Sequence, residues 1–199
     1  MKNGVRMIQQ NKASTIPEMR VTKCGIEGLL VIERDPGRDE RGFFREVYRE
    51  SLLQPLGVDF KPVQMNHSLS ETGVIRALHA ERWNKLVYPL TGKMFAAIVD
   101  LRPDSKTFGK HEDFVFDCVS GLPNKALFIP NGLGNSICAI EGPVNYIYLV
   151  DAYWTPDSSF AITPFDPDLD IHWPVEKPIL KDSDRNAPTM RDRFPDKFK

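Results

Sequence analysis

Between Gly28 and Trp154 the chain is a succession of short β-rich runs, each closed by turn residues. They are GLLVIER (28–34), GFFREVY (42–48), FKPVQMNHS (60–68), VIRALHA (74–80) and KLVYPLTG (85–92), then MFAAIVDLR (94–102), DFVFDCV (113–119), KALFIP (125–130), NSICAI (135–140) and VNYIYLVDAYW (144–154). Runs of this kind, recurring about every dozen residues, fit an antiparallel sandwich or barrel. Only YRESLLQPLG (48–57) has helical spacing, and Pro55 ends it early. Sixteen prolines and thirteen glycines supply the turns.

At 199 residues the chain fits one all-β domain, and no repeat, low-complexity tract or linker divides it. The expectation is a single jelly-roll domain over 1–199 with extended arms at about 1–24 and about 181–199. A strand of the first arm is suited to pairing with the open sheet edge of a partner. A formal net charge of -1 gives no electrostatic argument for nucleic acid or an anionic membrane. No run reaches the roughly 18 apolar residues of a membrane span, and MKNGVRMIQQNKAST lacks the apolar stretch of a secretory signal. Cys24, Cys118 and Cys138 are far apart with no CxxC pair, and read as thiols in a reducing compartment. A cytoplasmic protein is expected.

RALHAERWNKLV (76–87) carries the chemistry. Gly73, His79, Glu81, Lys85 and Gly92 reproduce the spacing of the first cupin motif, and Pro130-Asn131-Gly132-Leu133-Gly134-Asn135 reproduces the second. The four ligand positions of a metal cupin become His79, Glu81, Lys85 and Asn135. A divalent metal needs neutral imidazole or anionic oxygen, so a lysine ammonium there is repulsive and no metal is expected. Alone, His79 reads as a core histidine and Lys85 as a snorkelling side chain. Together in ligand register they read as a base and a fixed positive charge, suited to removing a proton beside a carbonyl. In the run 144–154, alternation puts Tyr146, Tyr148, Val150, Ala152 and Trp154 on one face, which either joins the core or lines a cavity.

With these motifs in order, the chain resembles the nucleotide-sugar 3,5-epimerases typified by dTDP-4-dehydrorhamnose 3,5-epimerase, from about Gly28 to Thr189. The resemblance is carried by Asp39-Glu40-Arg41-Gly42-Phe43-Phe44-Arg45-Glu46, Gln64-Met65-Asn66-His67-Ser68, Arg76-Ala77-Leu78-His79, Lys85-Leu86-Val87 and Asp100-Leu101-Arg102. Thr107-Phe108-Gly109, Ile129-Pro130-Asn131-Gly132 and Asp184 near Ala187-Pro188-Thr189 complete it. It implies a cofactor-independent enzyme, a jelly-roll homodimer with exchanged N-terminal strands, and a nucleoside-diphosphate 4-keto sugar, of the dTDP-linked type, as substrate. By position it implies His79 as base, Asp184 as its partner, Lys85 on the ketone oxygen and Tyr148 as acid. Arg41, Glu46, Gln64 and Arg76 match positions that hold the diphosphate and nucleoside, with Asn66 beside Gln64. Phe44 and Trp154 match aromatic positions flanking the nucleotide. The chain departs from the family pattern at Asn135, where a histidine is usual, at Ala77 and at Leu149. Double inversion at C3 and C5, inversion at one carbon, and a non-catalytic sugar-binding jelly roll are the readings these departures leave open.

Overall fold

The computed structural model describes residues 6–7, 19–121 and 124–199. Its strands, in chain order, are β1 (Arg6–Met7), β2 (Met19–Lys23), β3 (Leu30–Arg34), β4 (Gly37–Asp39), β5 (Gly42–Phe44), β6 (Gln64–Ser70) and β7 (Ile75–Glu81). They continue as β8 (Lys85–Pro89), β9 (Lys93–Asp100), β10 (His111–Asp117), β11 (Lys125–Ile129), β12 (Leu133–Glu141), β13 (Val144–Val150) and β14 (Ser159–Ala161). Two sheets face each other. One runs β1-β2-β3-β11-β8-β13-β6, the other β10-β9-β12-β7-β14, with β4-β5 as a separate hairpin. Every pairing of these strands is antiparallel, as the expected jelly roll requires.

Three apolar layers explain the burial pattern. Leu29, Val87, Met94, Ile98, Leu127 and Ile137 fill the space between the sheets. Leu52, Leu53, Val58 and Phe60, from the helix α1 (Glu50–Leu53) and the turn after it, cover the outer face of the larger sheet against Ile32, Leu86 and Phe128. Leu169, Met190 and the rings of Trp173 and Phe194 cover the outer face of the smaller one against Ala77, Phe95 and Val99. With both faces covered, β8 is buried at every position and β9 at all but Lys93, so these strands read as apolar runs instead of alternating. Edge strand β6 keeps the alternation. Each large apolar side chain fully buried in this way contributes about 1.5–3 kcal/mol.

The structure departs from expectation at several places. The run 144–154 is a strand only to Val150, so alternation no longer governs Ala152 and Trp154. The run from Phe60 becomes a strand only at Gln64, because Pro62 has no N–H to donate and Phe60 is turned into the outer layer. Only Gly42–Phe44 of 42–48 is a strand, paired within its hairpin. From Lys181 onward the chain is not an extended arm. It forms α2 (Asp182–Arg185), α3 (Met190–Arg193) and a 3-10 turn, Pro195–Lys197, with Met190, Phe194 and Phe198 against the smaller sheet. Most of the expected N-terminal arm lies outside the described residues. Among the described residues no helix is long and apolar enough to cross a membrane. Cys24, Cys118 and Cys138 are free, and burial pushes each thiol up to about 11.

Candidate active site

A register irregularity builds the site. Gly134 stands opposite Ala80 and Asn135 opposite His79, but Ile137 stands opposite Arg76, so β7 holds one residue more than β12 over this stretch. Such a bulge rotates the strand locally. Ala77 and Leu78 both bury into the outer layer, while Arg76, His79 and Glu81 all reach the space between the sheets. Without the extra residue, Arg76 and His79, three apart, would point to opposite faces.

The space they reach is a cavity of about 450 Å³, within the range of small-ligand sites. From β7 and β12 come Arg76, His79, Glu81 and Asn135. From β6, β8 and β13 come Gln64, Asn66, Lys85 and Tyr148, and Trp154 follows just past β13. The four positions of the metal-site spacing therefore do converge. Two of them, Glu81 and Lys85, are joined as an ion pair, which takes a carboxylate oxygen that a metal would need.

His79 Nε2 lies 3.0 Å from Asp184 Oδ1. Asp184 reaches it because Ile179 bonds to Gly73 and Ile75 through the backbone, laying the tail beside the start of β7. Burial raises the Asp184 carboxyl, but the hydrogen bond and charge of His79 more than offset this and hold it below its ordinary value. An ionised Asp184 makes Nε2 the donor, which leaves Nδ1 of the neutral ring to accept a proton. The imidazole stays 38% exposed, so its partner orients the ring without closing it off.

Lys85 is 5% exposed. Its Nζ donates to Glu81 Oε1 at 2.6 Å and stands 5.1 Å from the centre of the Tyr148 ring. Tyr148 stacks on Tyr146. Burial raises the Tyr148 phenol, the Glu81 carboxylate raises it further, and Arg76 works against both. The phenol is thus held protonated at neutral pH. Gln64 Nε2 donates to Asn66 Oδ1 at 2.9 Å. Arg76 is held at the cavity wall by bonds from Nε to Ser70 Oγ and from Nη2 to the Leu69 carbonyl, both 3.0 Å.

Arg41, Phe44 and Glu46 are not brought to this cavity. Arg41, 83% exposed, is held by Asp39 across its own hairpin turn, and Phe44 is 77% exposed. Glu46 is ion-paired with Arg34, at 2.6 Å, and with Arg49. Conversely, the cavity includes Ser68, Trp83 and Lys181, which were not expected as site residues, and Tyr146, for which core and cavity wall were both open. Ser68 was within reach, since it continues the Gln64, Asn66 alternation. Lys181 carried no local signal.

Comparison with known proteins gives this geometry a family. The family model described as dTDP-4-dehydrorhamnose 3,5-epimerase matches residues 23–192. The dTDP-4-dehydrorhamnose 3,5-epimerase of Methanothermobacter thermautotrophicus is 33% identical over 181 residues, 88% of this chain and 96% of its own. A dTDP-4-dehydrorhamnose 3-epimerase of Streptomyces niveus is 32% identical, covering 85% of this chain and 83% of its own. A Legionella pneumophila 3,5-epimerase solved with dTDP-4-keto-L-rhamnose superposes with a TM-score of 0.81 at 32% identity, over 87% of this chain and 93% of that one. A 3'-monoepimerase from Streptomyces bikiniensis solved with dTDP-quinovose gives 0.79 at 31% identity, over 86% and 89%. An antiparallel jelly roll whose cupin-type ligand positions hold His79 and Lys85, with relatives of this kind along nearly its whole length, belongs to the dTDP-4-dehydrorhamnose 3,5-epimerase family of nucleotide-sugar isomerases.

Proposed function

We propose that the chain epimerises a nucleoside-diphosphate 4-keto-6-deoxysugar, of the dTDP-4-dehydro-6-deoxyglucose type, at both carbons beside the ketone. The observation that carries this is the disposition of four groups. His79 stands on one sheet with Asp184 of α2 behind it, and Lys85 and Tyr148 stand on the other sheet, across one cavity. The ketone at C4 acidifies the protons on C3 and C5. His79 takes one of them from its face of the ring, and Asp184 stabilises the imidazolium. Charge passes to the ketone oxygen, where the Lys85 ammonium receives it as the enolate forms. Tyr148, protonated and on the facing sheet, returns a proton to the opposite side of the carbon. No redox change occurs, and the chemistry calls for no cofactor.

Gln64, Asn66, Arg76 and Trp154 line the same cavity and serve the nucleotide end, the arginine through paired N–H donors to phosphate oxygen. Arg41, Phe44 and Glu46 fit a homodimer. The exposed β4-β5 hairpin of one subunit then serves the nucleotide held by the other, supported by the outward Phe43 and Phe44 rings. The protein acts in the cytoplasm, where nucleotide sugars are made.

The test is incubation of a dTDP-4-keto-6-deoxyglucose with enzyme in heavy water, following deuterium by NMR. Label at C3 and C5 with accumulation of the L-sugar is the expected result. A second reading, inversion at one carbon, is favoured by Asn135, which pairs in register with His79 and sets a short amide where an ionisable ring is usual. Label at one carbon alone would select it, and Asn135→His is then the change to try for the second inversion. No label on several nucleotide variants would leave a sugar-binding module.

A further inference from the structure

Glu81 has no part in the mechanism above, yet its place in the cavity is specific. It follows His79 by two residues on the same strand and so shares its inward face. Lys85 opens β8 in the other sheet, so the 2.6 Å bond between them spans the two walls of the cavity. Their side chains are only 14% and 6% exposed, which separates this pair from a screened surface contact. We propose that Glu81 is a positioning residue, whose carboxylate fixes the Lys85 ammonium at the cavity wall and so fixes where the substrate's ketone oxygen seats. The inference rests on the epimerase reading.

A lysine side chain has four rotatable bonds, and an ammonium aimed into a cavity from β8 has no geometry of its own. Glu81 takes one of its three N–H donors and leaves two for a ketone oxygen. The carboxylate also opposes the enolate, but from behind the ammonium and at greater distance. Coulomb energy falls with separation, so the nearer cation prevails. Around the pair stand His79 and Arg76 on β7, Tyr146 and Tyr148 on β13, and Lys181 from the tail. Among these, Arg76 and Lys181 are further cations, and Asp184, bonded to His79, is the second carboxylate at the site. Because Glu81 also opposes the Tyr148 phenolate, it reinforces the acid form that the mechanism uses.

The experiment compares wild type, Glu81→Gln, Glu81→Asp, Lys85→Met and the Lys85→Met/Glu81→Gln double variant in the heavy-water assay. The expected result for Glu81→Gln is a kcat lowered about 10²-fold, as for a reacting group displaced by an ångström, with KM within about threefold. Its alkaline limb should move to lower pH, since Tyr148 loses a neighbouring anion, and Glu81→Asp should recover part of the rate. Added to Lys85→Met, Glu81→Gln should cost nothing more, because its effect passes through Lys85. A kcat within about twofold of wild type with an unmoved pH profile would overturn the inference, as would a further loss in the double variant. A raised KM at constant kcat would overturn it too, making Glu81 a substrate contact. Should Glu81→Gln alone fail to fold, comparing Lys85→Met/Glu81→Asp with Lys85→Met decides the matter by the same additivity. A wild type that exchanges no substrate proton would overturn the epimerase reading, and is seen before any variant is made.

Discussion

Two clusters of charged and polar side chains, one closed and one open, put their hydrogen bonds to opposite ends. At the end of β9, Asp100 is completely buried and accepts from Arg102, Ser105 and Thr107, with a further bond from the Arg102 backbone. Burial raises its carboxyl, and these donors outweigh burial and bring it down to about 2. In the cavity, His79 shows more than a third of its ring, Lys85 bonds to one carboxylate oxygen, and Tyr148 is held as the neutral phenol. The first cluster is closed and ties the turn 100–109 to the sheet. The second leaves donors and acceptors facing empty space. Both draw on the motifs that carry the family resemblance, Asp100 and Arg102 in one and His79 and Lys85 in the other. They differ in whether the polar groups close on one another or face the cavity.

The largest effect expected is at the base. His79→Ala should lower turnover about 10²–10⁴-fold with fold and nucleotide binding kept, and Asp184→Asn should be strongly impaired because the imidazolium loses its counter-ion. A loss under about tenfold in the heavy-water assay would remove His79 from the role. Lys85→Met comes next, with about 10²–10³ lost from kcat and little from affinity, as for a donor used mainly in the transition state. Binding that collapses while kcat stays normal would make Lys85 an anchor only.

In the closed cluster the readout is stability. Asp100→Asn should cost about 3 kcal/mol in urea unfolding, the cost of leaving Arg102 without its buried partner, while the folded fraction keeps its kcat. Its carboxyl is depressed in the folded state, so the stabilisation exists above the ordinary value near 3.8 and is lost as pH falls toward 2. Wild type should lose about 2 kcal/mol over that window, and the variant should lose less. An equal acid response in both would mean that Asp100 is not the group being titrated. The smallest effect is at the hairpin. Arg41→Ala should leave the urea unfolding midpoint unmoved, since its pair with Asp39 is exposed and screened, yet weaken dTDP binding if the hairpin serves a partner's site. Unchanged dTDP affinity would detach the hairpin from the nucleotide.

Much of this was legible in the chain because it is local. The runs over 74–80, 85–92, 94–102 and 144–154 correspond to β7, β8, β9 and β13, the last stopping at Val150. His79 and Lys85 line one cavity as their spacing suggests, with Tyr148 beside them as the resemblance implied. What was not legible depends on long-range packing. The helices α2 and α3 are four residues each, too short for a 3.6-residue period to register. The bulge that brings Arg76 in with His79 is visible only in the pairing of β7 with β12. The ion pair between Glu81 and Lys85 looks like a helix contact by spacing, four residues apart, yet it bridges two sheets. The Asp100 motif carried no sign of whether its charges were closed or open.

The path of the tail sets the order in which the molecule acquires function during synthesis. The strands end at Ala161, and His79, the proposed base, emerges from the ribosome 105 residues before Asp184. A nascent chain can therefore pair its sheets while the imidazole still lacks its counter-ion. Asp184 is held in place once Ile179 has paired with Gly73 and Ile75, and the docking of Met190 and Phe194 on the outer sheet anchors the tail beyond it. A chain cut between Trp173 and Ile179 and stripped of its tail would be returned to that earlier stage, with its sheets paired and His79 without Asp184.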